Sequence, residues 1–245
     1  MRFNNKTVIV TGGAGGIGLA TAARFAAEGA KIALTDINLD RLKKASEELS
    51  AKGAKSVWIS ACDVSKEEQV AATVTGAIEQ LGSVDVVVNN AGLMIFKKIE
   101  EQTPEDWMKI LNVDLLGAFC FIKHAFLKMK PGGAIVNISS IHAIETTPMV
   151  ASYAAAKAAL LSLTRSAAIE GKPKGIRVNA ILPGAIDTPM LWENPNIKAG
   201  LEQVSKDSVG KPEDIAAVAA FLASEDAAFV QGAMIEVDGG RLDRL

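Results

Sequence analysis

Short runs of β-branched and aliphatic residues alternate along this chain with longer stretches in which apolar positions recur at helical spacing. The runs fall at residues 7–10, 31–35, 56–60, 84–89, 134–138, 177–182 and 234–237. Between them, residues 17–28, 38–52, 66–80, 104–129, 151–169 and 213–223 carry the apolar period of helices that bury one face. Val86, Val87 and Val88 are apolar on consecutive positions, as a strand covered on both faces must be. Alternation of this kind predicts an α/β fold, a doubly wound parallel sheet with helices on both faces. No low-complexity linker or break in composition divides residues 1–245, which read as one domain.

Residues 186–210 interrupt the alternation, setting Pro189, Asn194, Pro195 and Asn196 among the apolar Met190, Leu191 and Trp192. Long loops in compact domains are usually functional, and this one is expected to be a mobile lid over the substrate.

With 49% apolar and 22% charged residues in 245, the chain can bury a large core. A formal charge of −2 gives no electrostatic reason to expect nucleic acid or an anionic membrane as partner, so the expected ligand is a small molecule. The first six residues run directly into a strand, which leaves no room for a signal peptide, and no apolar run looks long enough to span a bilayer. Cys62 and Cys120 are the two cysteines; they have neither metal-ligand spacing nor partners for a disulfide framework. The expectation is a reduced, cytoplasmic protein without a metal.

Two distant segments suggest chemistry. Residues 11–18, Thr-Gly-Gly-Ala-Gly-Gly-Ile-Gly, follow a strand and open a helix, so that backbone at Gly12, Gly16 and Gly18 can approach a pyrophosphate facing the helix amides. Asp36 ends the second strand, where a carboxylate can accept hydrogen bonds from ribose hydroxyls and repel a 2′-phosphate. Neither Ala14, Gly15 nor Ile37 supplies a cation to hold such a phosphate, and NAD is therefore the expected cofactor. Asp63, after the third strand, is placed either to reach the adenine amino group or, with Ser65 nearby, to cap a helix.

The second segment holds Tyr153, the chain's single tyrosine, four residues before Lys157 on one face of a predicted helix. A phenol with an ordinary pKa near 10 needs roughly 3 to 4 kcal/mol of preferential stabilisation of its phenolate to serve as a base near neutrality. A lysine ammonium and a positively charged nicotinamide are expected to supply it. Ser139 and Ser140 end the fifth strand at the carboxyl edge, where ligands bind in open parallel sheets, and strand alternation lets only one of them face the site.

In this order, the motifs resemble those of the short-chain dehydrogenase/reductase family over nearly the whole chain. The family's T-G-x-x-x-G-x-G falls at residues 11–18, its N-N-A-G at 89–92, and its helix asparagine at Asn112 in Asn-Val-Asp. Its serine falls at Ser140, its Y-x-x-x-K at 153–157 and its P-G at Pro183 and Gly184. The resemblance implies a seven-stranded Rossmann-like sheet, usually assembled as a homotetramer, and it selects Ser140 over Ser139. It implies Tyr153 as general acid/base, Lys157 holding the nicotinamide ribose and lowering the tyrosine pKa, and Ser140 orienting the substrate oxygen. Asn112 would hold a water linking Lys157 to solvent. Along the dinucleotide it implies Gly12, Gly16, Ile17, Gly18, Asp36, Asp63, Val64, Asn90, Gly92, Tyr153, Lys157, Pro183, Gly184, Ile186 and Thr188.

The substrate pocket is expected from Leu93, Met94, His142, Glu145, Gly184, Met190 and Trp192. His142 either hydrogen-bonds a polyhydroxylated substrate or sits in a surface loop, and Glu145 either binds sugar hydroxyls or is a solvated loop residue. Residues 234–240 match the family's last strand, a segment that packs at subunit interfaces in relatives, and residues 241–245 are a candidate to reach a neighbouring site. These features together predict an NAD-dependent oxidoreductase that interconverts a secondary alcohol (a sugar, polyol or other small hydroxylated compound) and its ketone or lactone. The enzyme alternative is a 3-oxoacyl thioester reductase, and the non-enzyme alternative a dinucleotide-sensing or interaction protein.

Overall fold

The structure is a computed structural model that describes residues 1–200, 204 and 208–242. Residues 201–203 and 205–207 of the expected lid, and 243–245 of the tail, lie outside the described residues.

Seven parallel strands form one sheet in the order β3-β2-β1-β4-β5-β6-β7. They are β1 (Thr7–Thr11), β2 (Lys31–Asp36), β3 (Val57–Ala61), β4 (Val86–Asn89), β5 (Ala134–Ile138), β6 (Arg177–Pro183) and β7 (Met234–Val237). Strand order reverses between β1 and β4, the switch point at which open parallel sheets leave a crevice beyond their carboxyl ends. Successive side chains of each strand serve opposite layers. Val8 and Val10 enter one core cluster with Phe25 and Leu42, whereas Ile9 enters the other with Val70 and Phe121.

The first of these layers is built on α1 (Gly16–Ala27), α2 (Leu39–Ala51) and α9 (Pro212–Ala223). The opposite layer is built on α3 (Glu67–Leu81), α5 (Gly117–Lys128) and α6 (Ala151–Gly171). Local signals explain several boundaries: the Asn38 side chain accepts from the Arg41 N–H to start α2, and Thr103 with Asp106 forms a capping box ahead of α4 (Pro104–Leu111).

The segment expected to be one helix over 104–129 is divided. Between α4 and α5 lies a π-helical turn, Asn112–Leu116, whose extra residue turns the buried face and brings Asp114 inward. The continuous run Pro104–Lys128 is long and apolar enough to cross a membrane by length and composition, contrary to the sequence expectation. Of this run, Cys120, Phe121, Ile122 and Ala125 belong to the core beside α3.

The expected lid also has internal order. Ile186 pairs with Gly210, closing the base of the segment. The short helices α7 (Pro189–Trp192) and α8 (Pro195–Lys198) follow, and the buried Asn196 donates to the Pro148 carbonyl at 2.8 Å.

A buried polar chain sets the register of α6 over the sheet. Asn89 of β4 donates to the Asn137 Oδ1 of β5 at 2.8 Å, and Asn137 donates to Thr164 Oγ1 of α6 at 2.9 Å. Side-chain amides at these depths are costly unless paired. Asn137→Ala leaves both neighbours short of a partner and is expected to destabilise the fold by about 2 kcal/mol, read as a lower urea midpoint at unchanged slope.

Candidate active site

The glycine turn between β1 and α1 is held from across the switch point. Asn90, just after β4, donates through Nδ2 to the carbonyls of Thr11 (2.9 Å) and Gly12 (3.2 Å), while Thr11 Oγ1 accepts from the N–H groups of Asn90 and Ala91. Gly12 and Gly16 have φ of +61° and +52°, the left-handed region that favours glycine. A Cβ on Gly18 would overlap the Gly12 carbonyl oxygen and lie 2.6 Å from Asn90 Nδ2, so α1 can begin this close to β1 only with glycine there. The first turn of α1 carries no acidic residue, which leaves its amides open to an anion. These features fit the close approach of a dinucleotide's pyrophosphate to the turn.

Asp36 closes the other end of this crevice. Its carboxylate accepts from the N–H groups of Ala14 (3.4 Å) and Asn38 (3.1 Å), so it lies against the glycine turn. A cation that the sequence reading missed lies there too: a Cβ on Gly15 would meet the Arg41 guanidinium at 2.8 Å. Arg41 is five residues past Asp36, and only the entry of α2 folds it back onto the turn. Asp63 accepts from both the N–H and the hydroxyl of Ser65, which closes a local turn ahead of α3; the N-cap of that helix is Lys66, not Asp63. Val64 is buried beside it and packs on Gly117.

Tyr153 and Lys157 lie on the buried face of α6, 7% and 3% exposed. The two serines before them divide their work. Ser139 donates to the Lys157 carbonyl at 2.9 Å and so fastens α6 to β5, whereas Ser140 caps the next turn and hydrogen-bonds the Tyr153 phenol. The His142 ring stands edge-on to Tyr153 with centroids 5.9 Å apart, and its Nδ1 is 3.2 Å from Thr146 Oγ1. Glu145 is exposed, and Met94 is half-buried on the segment after β4.

Lys157 Nζ donates to the Ile138 carbonyl at 3.0 Å and lies 5.4 Å from the Tyr153 ring centroid. Its counter-charge is Asp114, whose Oδ1 is 3.2 Å away and whose Oδ2 accepts from the Leu93 N–H at 3.1 Å. The expectation for this helix named Asn112. The π-helical turn also brings Asp114, two residues further on, to Lys157, an ionic contact separate from the water-mediated link expected of Asn112. A signal was present, since Asp114 is the single charged residue between Lys109 and Lys123, and a charge in so apolar a stretch needs a partner. Gly92 keeps the approach open, because a Cβ there would stand 2.7 Å from Asp114 Oδ1 and 3.3 Å from Lys157 Nζ.

Protonation follows from these contacts. Burial pushes the Tyr153 phenol above its ordinary value; Lys157 and the Ser140 hydrogen bond pull it down, Asp114 pushes it up, and the net result is upward. The expected lowering by lysine is therefore outweighed in the protein alone. Burial disfavours the Lys157 ammonium, yet Asp114 and the phenol hold it above its ordinary value. Burial likewise raises Asp114 against the pull of Lys157.

At the far side, Pro183 ends β6, and a Cβ on Gly184 would meet Asp238 at 2.7 Å, so this glycine serves the close approach of the β7 turn. Thr188 reaches the glycine turn, 3.3 Å from where a Gly16 Cβ would stand, and its hydroxyl donates to the Ile186 carbonyl. Met190 and Trp192 are half-exposed on α7, and the Trp192 indole donates to Asp187 at 2.7 Å.

Gly18→Ala is expected to lower dinucleotide affinity by about tenfold or more, because the added methyl must push α1 away from the turn; quenching of tryptophan fluorescence on titration measures it.

A family model described as enoyl-(acyl carrier protein) reductase matches residues 12–241. The chain is 40% identical to 3beta-hydroxysteroid dehydrogenase 1 of Eggerthella lenta, covering 97% of this chain and 94% of that one. It is 38% identical to meso-2,3-butanediol dehydrogenase of Serratia marcescens (98% and 96% covered). Identity is also 38% to 3-oxoacyl-(acyl-carrier-protein) reductase FabG of Chlamydia trachomatis (96% and 97%). Among solved structures, levodione reductase superposes with a TM-score of 0.93 at 36% identity over the whole of both chains. With this fold, this site and these relatives, the chain belongs to the short-chain dehydrogenase/reductase family, oxidoreductases that use a nicotinamide dinucleotide.

Proposed function

We propose that the protein is an NAD-dependent oxidoreductase that interconverts a small secondary alcohol and its ketone, with Tyr153 as general acid/base. The observation that carries this reading is the convergence of Ser140, Tyr153 and Lys157 at the carboxyl edge of the sheet beside the glycine turn. Residues 1–245 act as one domain, with 186–210 as the substrate lid. When bound, the nicotinamide supplies or accepts a hydride at the substrate carbon. Ser140 orients the substrate oxygen by hydrogen bonding. In reduction Tyr153 gives its proton to that oxygen, and in oxidation the phenolate takes the proton back. Lys157, fixed below the ring, holds the positive charge that favours phenolate.

Asp36 supports NAD over NADP, because its carboxylate faces the glycine turn and would repel a 2′-phosphate. Arg41 stands close by but is opposed by that carboxylate. His142, stacked edge-on against Tyr153, is suited to a substrate with a second polar group near the reacting carbon. The named activity of the Serratia relative, on a small diol, supports the same class. A 3-oxoacyl thioester reductase is the second reading, favoured by the Chlamydia relative and disfavoured by Asp36. We further infer a cytoplasmic homotetramer, supported by two buried free cysteines and by the exposed Met108, Leu116, Phe119 and Leu127 along α4–α5.

Formation of NADH from NAD⁺ across sugars, polyols and simple secondary alcohols tests the reading. Tyr153→Phe is expected to lose turnover by about a hundredfold or more while dinucleotide affinity stays within about twofold; near-normal turnover would remove the general-base role. Asp36→Ala is expected to raise NADP affinity relative to NAD by about tenfold, and adding Arg41→Ala should cancel most of that gain. An unchanged ratio would refute the role of Asp36.

A further inference from the structure

We propose that Asp114 is a positioning residue of the proton-transfer site: paired with Lys157, it fixes that ammonium below Tyr153 and cancels part of its field, so that the Lys157–Asp114 pair governs phenolate formation. The proposal deepens the function above and rests on Tyr153 as the acid/base.

Three separate parts of the chain are shaped around this carboxylate. The π-helical turn swings it inward, the Leu93 N–H after β4 holds one oxygen, and Lys157 of α6 stands 3.2 Å from the other. Gly92 is small where any side chain would displace the pair. The Lys157 and Asp114 side chains are 4% and 0% exposed, so water screens their fields little.

A lone ammonium at this distance from a phenol stabilises the phenolate strongly. An ammonium with a carboxylate 3.2 Å away acts on a third group as a dipole, and its attraction falls off more steeply. Among the described residues, the groups that face Tyr153 are Lys157 from its own helix, Asp114 from the π-helical turn, His142 from the turn after β5, and the Ser140 hydroxyl. Asp114 is the only one of these that carries negative charge. It therefore keeps Tyr153 in its phenol form to higher pH, ready to donate in reduction, and makes oxidation an alkaline activity. The direction of the Tyr153 shift agrees, since Asp114 and burial both push it upward.

Tyr153 is the chain's single tyrosine, so the ultraviolet absorbance of tyrosinate titrates this one group without turnover or substrate. The expected result is a midpoint about one pH unit lower in Asp114→Asn than in the unaltered protein, with Asp114→Glu staying near the latter. Should the amide variant fail to fold, Asp114→Ser carries the same prediction. A midpoint that does not fall in a folded, carboxylate-free variant overturns the proposal, whatever happens to turnover. The pH profile of alcohol oxidation should move to lower pH by the same amount. A tyrosinate shift that turnover ignores would overturn the role of the pair in proton transfer and, separately, the assignment of Tyr153.

Discussion

A buried cation is the constraint around which the carboxyl edge of this sheet is arranged. Lys157 has almost no contact with solvent, and a lone ammonium in that position would cost several kcal/mol. The structure meets the cost from three directions: the Ile138 carbonyl at the end of β5, the Asp114 carboxylate, and the Tyr153 ring above. Each partner fixes something else. The Ile138 contact holds α6 against β5, the Asp114 contact requires the π-helical turn and a glycine at position 92, and the tyrosine contact places the phenol in reach of Ser140.

The rest of the fold presents this centre to a dinucleotide. Reversal of strand order between β1 and β4 opens the crevice, and Asn90 ties its two walls together by donating to the backbone of the glycine turn. The chain Asn89–Asn137–Thr164 holds α6 in register from below, and Ser139 fastens it at the level of Lys157. Polar side chains thus carry the alignment, while the two apolar layers supply most of the stability. Apolar packing tolerates small displacements, whereas hydrogen-bonded amides do not. Placing them at the reactive end fits a site that must hold a hydroxyl, a phenol and an ammonium in fixed relation.

Much of this was legible in the amino-acid sequence. The strands announced themselves because strands buried on both faces are apolar on consecutive positions, and the glycine turn because only glycine permits its backbone angles and close contacts. Tyr153 and Lys157 were readable as a pair because helical spacing puts them on one face. Asp114 is not legible in the same way, because the extra residue of the π-helical turn decides which side chain faces inward and no apolar period announces it. Arg41 escaped for a different reason: its proximity to Gly15 is created by the fold of α2, not by nearness in sequence. The helices within the expected lid were hidden by their shortness, since four residues show no apolar period.

The most direct test is to compare two titrations of the same protein saturated with oxidised dinucleotide: the ionisation of Tyr153 followed by its absorbance, and the pH dependence of kcat/KM for alcohol oxidation. If the Tyr153 proton is the one that moves, the two midpoints coincide. A kinetic midpoint well separated from the tyrosine titration, with turnover surviving in Tyr153→Phe, would assign the proton to another group and contradict the central role given to this pair of side chains.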